Sequence, residues 1–313
     1  MTEDFPIGAL ILPEPARTAA WRRWRADLEL DALSYECLQT LPALAGNLAR
    51  WLEGDPCAAR IKGTVKMAWS RNQVRLHKAA ELQEALLRMS VSPVAVIGPL
   101  AWSLQPREAG SIRTILDLTL LIPREHVFRA VAALTGQGWM LRSNQPDEDT
   151  LHWSSNLALT QGEETLHLHW RLFPGSGGDA AALERECMQG LRGISWNGYD
   201  FHVLAPEVDL LERLIGRPHW DTVPWQVDGL MMSFAGVDWK RFRALAGDFS
   251  SFIKPVDVIA RLMELRRAWQ LPIPEMKPSR RGFFPGMRRT SNRARFAALR
   301  SKLYRWRRLL WRV

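Results

Sequence analysis

Cysteine is scarce in this chain of 313 residues: Cys37, Cys57 and Cys187 are an odd number, and no two are spaced as CxxC. That argues against a disulfide framework and a zinc ribbon and predicts buried thiols in a reducing compartment. Long apolar runs are missing as well. No stretch approaches the roughly 20 apolar residues that span a bilayer, and Met1-Thr-Glu-Asp-Phe5 is acidic where a secretory leader is basic. A cytoplasmic protein is expected, soluble or held peripherally at the inner membrane surface. No internal repeat is present. Acidic residues are absent from 277–313, yet 13 of the 42 Lys and Arg fall there. The net charge of +9 is thus a property of one segment, because 1–276 carry 29 basic against 33 acidic residues. An acidic body offers nucleic acid no matching groove, so nucleic acid is the least favoured partner.

Hydrophobic residues, at 47%, suffice for a sizeable core. From 16 to 53, Trp21, Trp24, Leu28, Leu30 and Leu33, then Leu38, Leu41, Leu44, Leu48 and Leu52, recur at threes and fours. This predicts an all-helical cap packed by its own stripe, with Pro42 forcing a break. A second helix is predicted over 68–89, with Trp69, Val74, Leu82 and Leu86 inward. The run 94–97 reads as a buried strand closing on Gly98-Pro99, with a short helix after it. The stretch 111–122 reads as a turn and a buried strand, Pro123 opening a helix over 124–134. Strands follow over 139–143, 151–160 and 165–173, the last two joined by a hairpin at 161–164; a helix over 180–191 then leads to a strand over 199–204. From 206 to about 271 the pattern is helical. Alternating strands and helices make this an α/β (α+β) protein with a mixed sheet.

The most conspicuous residue is Asp117, a carboxylate in an apolar run with Arg113 four residues before it. It is either a functional ligand or half of a buried salt bridge to Arg113 or another arginine. Thr165-Leu-His-Leu-His-Trp170 alternates with period two, so His167 and His169 share one sheet face. With Asp117 and His152 they form a candidate Zn²⁺ or other transition-metal site, or they are structural histidines. Of the 15 tryptophans, Trp69, Trp139, Trp170, Trp225 and Trp239 fall on apolar stripes and read as core; Trp102, beside the glycine turn, is the candidate for ligand stacking. In 291–310, Phe296, Leu299, Leu303, Trp306 and Leu310 recur at threes and fours among arginines. That is a basic amphipathic helix, suited to an anionic membrane surface or an acidic protein partner, or else to docking on the acidic body.

Several runs resemble the uncharacterised bacterial nucleotidyltransferase family with a DNA polymerase β-like fold. They are Ile97-Gly98, Arg113-Thr-Ile-Leu-Asp117-Leu-Thr119-Leu-Leu-Ile122 and Leu166-His167-Leu-His169-Trp170, followed by 203–211, Trp225-Gln-Val-Asp228 and Asp238-Trp239. The resemblance covers about 66–274. It implies a nucleotidyltransferase-like core over 66–205 and a helical module over 206–274, between the helical cap over 1–65 and the basic tail over 275–313 that the residue pattern predicts. It also implies two Mg²⁺ ions held by three carboxylates, two of them on an Asp-x-Asp strand and one on its neighbour. Here Asp117 keeps the first position, while Thr119 and His167 stand at the second and third. Asp117, Thr119 and His167 are thus the implied catalytic positions, with Asp117 and His167 the metal-ligand candidates; Glu163 or Glu164, or the acidic run Asp147-Glu148-Asp149, are conceivable substitutes. Gly98, Pro99, Trp102, Arg113 and His169 are implied on the nucleotide and phosphate side, although Pro99 has no N–H to donate and Ile97 replaces a frequent lysine. A degenerate site follows, kept for binding a nucleotide or small molecule or for a scaffold role in a biosynthetic pathway; an active metal-dependent transferase with substitute ligands such as His167 and Glu164 is the alternative.

Overall fold

The computed structural model describes residues 5–26, 28–105, 113–173, 180–215, 223–233 and 236–248, together with Leu262 and Arg266. The chain begins with short helices: α1 (Ile7–Ile11), α2 (Ala16–Ala26), α3 (Tyr35–Thr40) and α4 (Ala45–Trp51). Ser34 caps α3 by accepting from the Cys37 N–H at 3.2 Å. A 3₁₀ turn at Leu41–Leu44 carries Pro42 and separates α3 from α4, as the proline requires. Trp21 and Trp51 stack with centroids 5.2 Å apart. The cap does not close on its own stripe alone, because its core also takes Ile61, Val227 and Leu230.

One long helix, α5 (Ala58–Arg88), follows. Leu76, Ala79, Leu82 and Leu86 point inward as an i, i+3, i+4 stripe. Trp69 and Val74, expected inward, are 52% and 63% exposed. Strand β1 is only Ala95–Val96, followed by α6 (Pro99–Leu104) with its proline in the first turn, where an N–H is not needed. Strand β2 spans Leu118–Leu121, shorter than the apolar run suggests. Then come α7 (Val127–Gly136), β3 (Met140–Leu141), α8 (Glu148–Trp153), β4 (Asn156–Gln161) and β5 (Glu164–His169). The segment 151–153, expected to open a strand, belongs instead to α8. Asp147 caps that helix by accepting from the Thr150 N–H at 2.7 Å.

After α9 (Ala180–Gln189) the chain forms a hairpin of β6 (Arg192–Trp196) and β7 (Tyr199–Val203), then α10 (Pro206–Ile215), α11 (Val223–Met232) and α12 (Trp239–Asp248). Strand β6 was missed by the sequence reading. Its signal is Asn197-Gly198, both at positive φ, which is the Asn-Gly type I′ preference of a two-residue hairpin. The sheet order is β3-β4-β5-β2-β1-β7-β6, parallel at β2/β5 and β1/β7 and otherwise antiparallel.

Alternation gives the sheet two faces. Leu118, Leu120, Leu166 and Leu168 pack on one side with Leu82 and Leu86 of α5 and Val131 and Leu134 of α7. On the other side Ala95, Ile97 and Leu121 pack with Leu210, Leu211, Leu214 and Phe242. Asp117, Thr119 and His167 share the parity of Leu121 but remain only partly covered, so a polar strip is left on that second face. Cys37 and Cys187 are buried and Cys57 is partly exposed, all three as free thiols. Among the described residues no helix is long and apolar enough to cross a membrane.

Candidate functional site

Strands β2 and β5 run parallel with Thr119 paired to His167 and Leu121 to His169. Since side chains alternate along a strand, Asp117, Thr119 and His167 converge on one face. His167 Nε2 lies 3.7 Å from the Asp117 carboxylate, and the two side chains are 34% and 45% exposed. Asp117 precedes β2 and is half in solvent, not planted in a buried strand as its surroundings suggested.

Arg113 does not serve Asp117. Its guanidinium is buried against Asp228 of α11 at 2.8 Å, and the same carboxylate lies 3.8 Å from Arg213 of α10. Arg113 also donates to the Gln39 carbonyl of the cap at 3.4 Å. Asn72 of α5 clasps the adjoining backbone, donating to the Arg113 carbonyl at 2.7 Å and accepting from the Ile115 N–H at 2.9 Å. Thr114 adds a 2.9 Å bond to Gln39. The segment leading into Asp117 is therefore held by the cap, by α5 and by the C-terminal helices at once, which makes Arg113 an anchor of the frame.

The glycine turn has an unexpected neighbour. Gly98 has φ 69° and ψ −149°, a conformation open to glycine almost alone, and a Cβ there would meet the Arg213 guanidinium at 3.3 Å. Burial by itself would lower the Arg213 pKa, but the carboxylates of Asp228, Glu212 and Asp209 more than offset this and raise it. Sequence reasoning missed Arg213, and the only hint was a basic residue on the otherwise apolar stripe of α10. Trp102 is 3% exposed within the second core, so its ring has no free face for a stacking ligand. Pro99 opens α6 beside the turn.

His169 Nε2 lies 3.3 Å from the Asn156 amide nitrogen, and its carbonyl accepts from the Ile122 N–H at 2.9 Å. His152 sits on α8 against Trp153, at 4.4 Å between rings, and not on the β4–β5 hairpin. Glu164 has the parity of Leu166 and Leu168, facing away from Asp117, and pairs with Arg75 of α5 at 3.1 Å. Arg75 in turn donates to the Ile115 carbonyl. Glu164 is thus a poor substitute ligand for a site at Asp117, and Glu163 lies in the exposed turn. Asp147 is spent on its cap, while Glu148 lies 3.8 Å from Arg124. Among the described residues no three His, Cys, Asp or Glu side chains cluster as metal ligands. Of the tryptophans expected in the core, Trp139 and Trp170 are buried and Trp239 is partly so, packed edge-on against Phe242 at 5.5 Å. The side chain of Trp225 and the tail over 277–313 lie outside the described residues.

A comparison with curated proteins returned no match. The sequence profile of the uncharacterised nucleotidyltransferases matches residues 32–215, a span that contains the whole seven-stranded sheet, the glycine turn, Asp117 and the His167 strand. With more than half of its length matched, the chain belongs to the uncharacterised nucleotidyltransferase family.

Proposed function

We propose that this protein keeps the nucleotidyltransferase frame without two-metal catalysis, and serves as a ligand-binding or scaffold component of a bacterial biosynthetic pathway. One observation carries the proposal: the register of β2 and β5 brings Asp117, Thr119 and His167 together, and the three contribute a single carboxylate. Mg²⁺ takes hard anionic oxygens in near-octahedral sets. One half-exposed carboxylate, a hydroxyl and an imidazole do not fit a pair of such ions, so no step is routed through them. Zn²⁺ takes three or four protein ligands, and Asp117 with His167 supplies two.

The same proposal gives the basic amphipathic segment over 277–313 the task of attaching the protein to an anionic membrane surface, by apolar insertion and charge attraction; an acidic protein partner is the second choice.

The test combines thermal-shift and calorimetric titrations of nucleoside triphosphates, with Mg²⁺ and with Mn²⁺, and an assay for released pyrophosphate. A ligand specific for the native state raises its stability by mass action. Binding without turnover is expected, with Asp117→Ala changing stability by under about 1 kcal/mol, as for other exposed pairs. Pyrophosphate release that disappears in Asp117→Ala would establish the active transferase instead.

A further inference from the structure

Two parallel strands that end side by side send their following loops off the same edge of the sheet. At that edge, Arg124 follows β2 by three residues and Arg171 follows β5 by two. The Arg124 charge adds to burial in lowering the Arg171 pKa. Arg171 is half-buried, and its backbone N–H bonds to the Ser155 carbonyl at 3.3 Å, while among the described residues its guanidinium makes no hydrogen bond and no ion pair within 4 Å. An opposite charge that acts on it is that of Glu184 of α9, whose carboxylate accepts from the Phe173 N–H at 3.4 Å. Arg124 is the more exposed of the pair, and among the described residues its ion-pair partner is Glu148, at 3.8 Å. His169 and Asn156 close the same edge at the end of β5 and the start of β4.

A cation taken partly out of water without a hydrogen-bonded partner is costly, and a second cation beside it raises the cost. Burial depresses the Arg171 pKa and raises that of Glu184, so each charge is only partly compensated by the other. An arginine fork matches the oxygens of a phosphate group two at a time.

The geometry points to an anion subsite at the carboxyl ends of β2 and β5, in which Arg171 and Arg124 take the phosphate group of a phosphomonoester ligand. It lies at the opposite end of the strand pair from Asp117, and it stands whether or not the Asp117–His167 pair binds anything.

The experiment is a calorimetric titration of the full chain with inorganic phosphate, then with phenyl phosphate and with acetate, at a fixed ionic strength of about 0.15 M. One saturable phosphate site is expected, weakened about tenfold in Arg171→Met, the loss of one charge-assisted fork, and by a smaller factor in Arg124→Ala. Glu184→Gln removes the competing carboxylate and tightens binding. The tail arginines remain in every variant, so only the difference between variants reports on this subsite. Arg171→Met binding phosphate like the wild type, Glu184→Gln weakening it, or no saturable binding at all overturns the assignment. Equal affinity for acetate overturns the choice of phosphate. If Arg171→Met does not fold, the exposed Arg124→Ala together with Glu184→Gln decides the matter.

Discussion

Gly98 carries two constraints in one residue. Its backbone occupies a region that side chains avoid, and the space a Cβ would fill adjoins the Arg213 guanidinium at 3.3 Å. Strained backbone of this kind costs on the order of 1–3 kcal/mol for a residue other than glycine. Gly98→Ala is therefore expected to destabilise the protein by about 2–3 kcal/mol, measured by urea denaturation. A change below about 0.5 kcal/mol, the range of ordinary surface substitutions, would show that the turn is free to relax. In this chain the glycine makes room for a buried arginine.

At the scale of elements, the contact that matters most is the one between the entry to β2 and the helices around it. Asp228 of α11 is the shared counter-ion of Arg113 and Arg213, with all three side chains nearly inaccessible to water. Removing one member of a buried charge network leaves the others uncompensated and costs about 3–5 kcal/mol. Asp228→Asn is expected to lose that much in urea denaturation and to loosen the cap together with the sheet, because Arg113 also holds Gln39 of α3. Protection of the α3 amides in hydrogen exchange should fall in the variant. Unchanged protection would mean that the cap stays docked through its apolar contacts alone.

At the scale of the whole molecule, the cap has its own acid-labile tie. Asp55 accepts a bidentate pair from Arg25 at 2.8 and 2.9 Å. That hydrogen bonding, reinforced by the Cys57 N–H and the Arg25 charge, holds the Asp55 carboxyl below the usual aspartate range against the opposing effect of burial. A group with a depressed folded pKa stabilises fully above its unfolded value and loses that contribution as pH falls through the folded value. Cap stability is thus expected to fall on acidification below about pH 4, and the pH dependence should flatten in Asp55→Asn when followed by tryptophan fluorescence of the Trp21–Trp51 stack. The tail gives a separate prediction. Deleting 277–313 should abolish co-sedimentation with anionic vesicles, and salt should weaken the binding of the full chain by screening. Retained binding after deletion would assign that contact to the body.

The amino-acid sequence by itself determined the type of element where the apolar period was long and regular, as in β5 and in α5 beyond Ala68, but α5 already begins at Ala58 and leaves Trp69 and Val74 exposed. The sequence also put Thr119 and His167 at two positions where the family resemblance implies carboxylates. Short elements were less legible. Helix α8 and strand β6 depend on caps and turns: Asp147 at one and Asn197-Gly198 at the other. Only the tertiary structure decided charge pairing, because ion pairs join residues far apart in the chain, and a spacing of four between Arg113 and Asp117 says nothing about which carboxylate the arginine meets. Long-range packing likewise gave Arg113 to Asp228, put Arg213 beside Gly98, turned Glu164 away from Asp117 and buried Trp102. In each case the partner was selected by what lay across the sheet or the helix interface, where burial makes an unmatched charge too costly to leave alone.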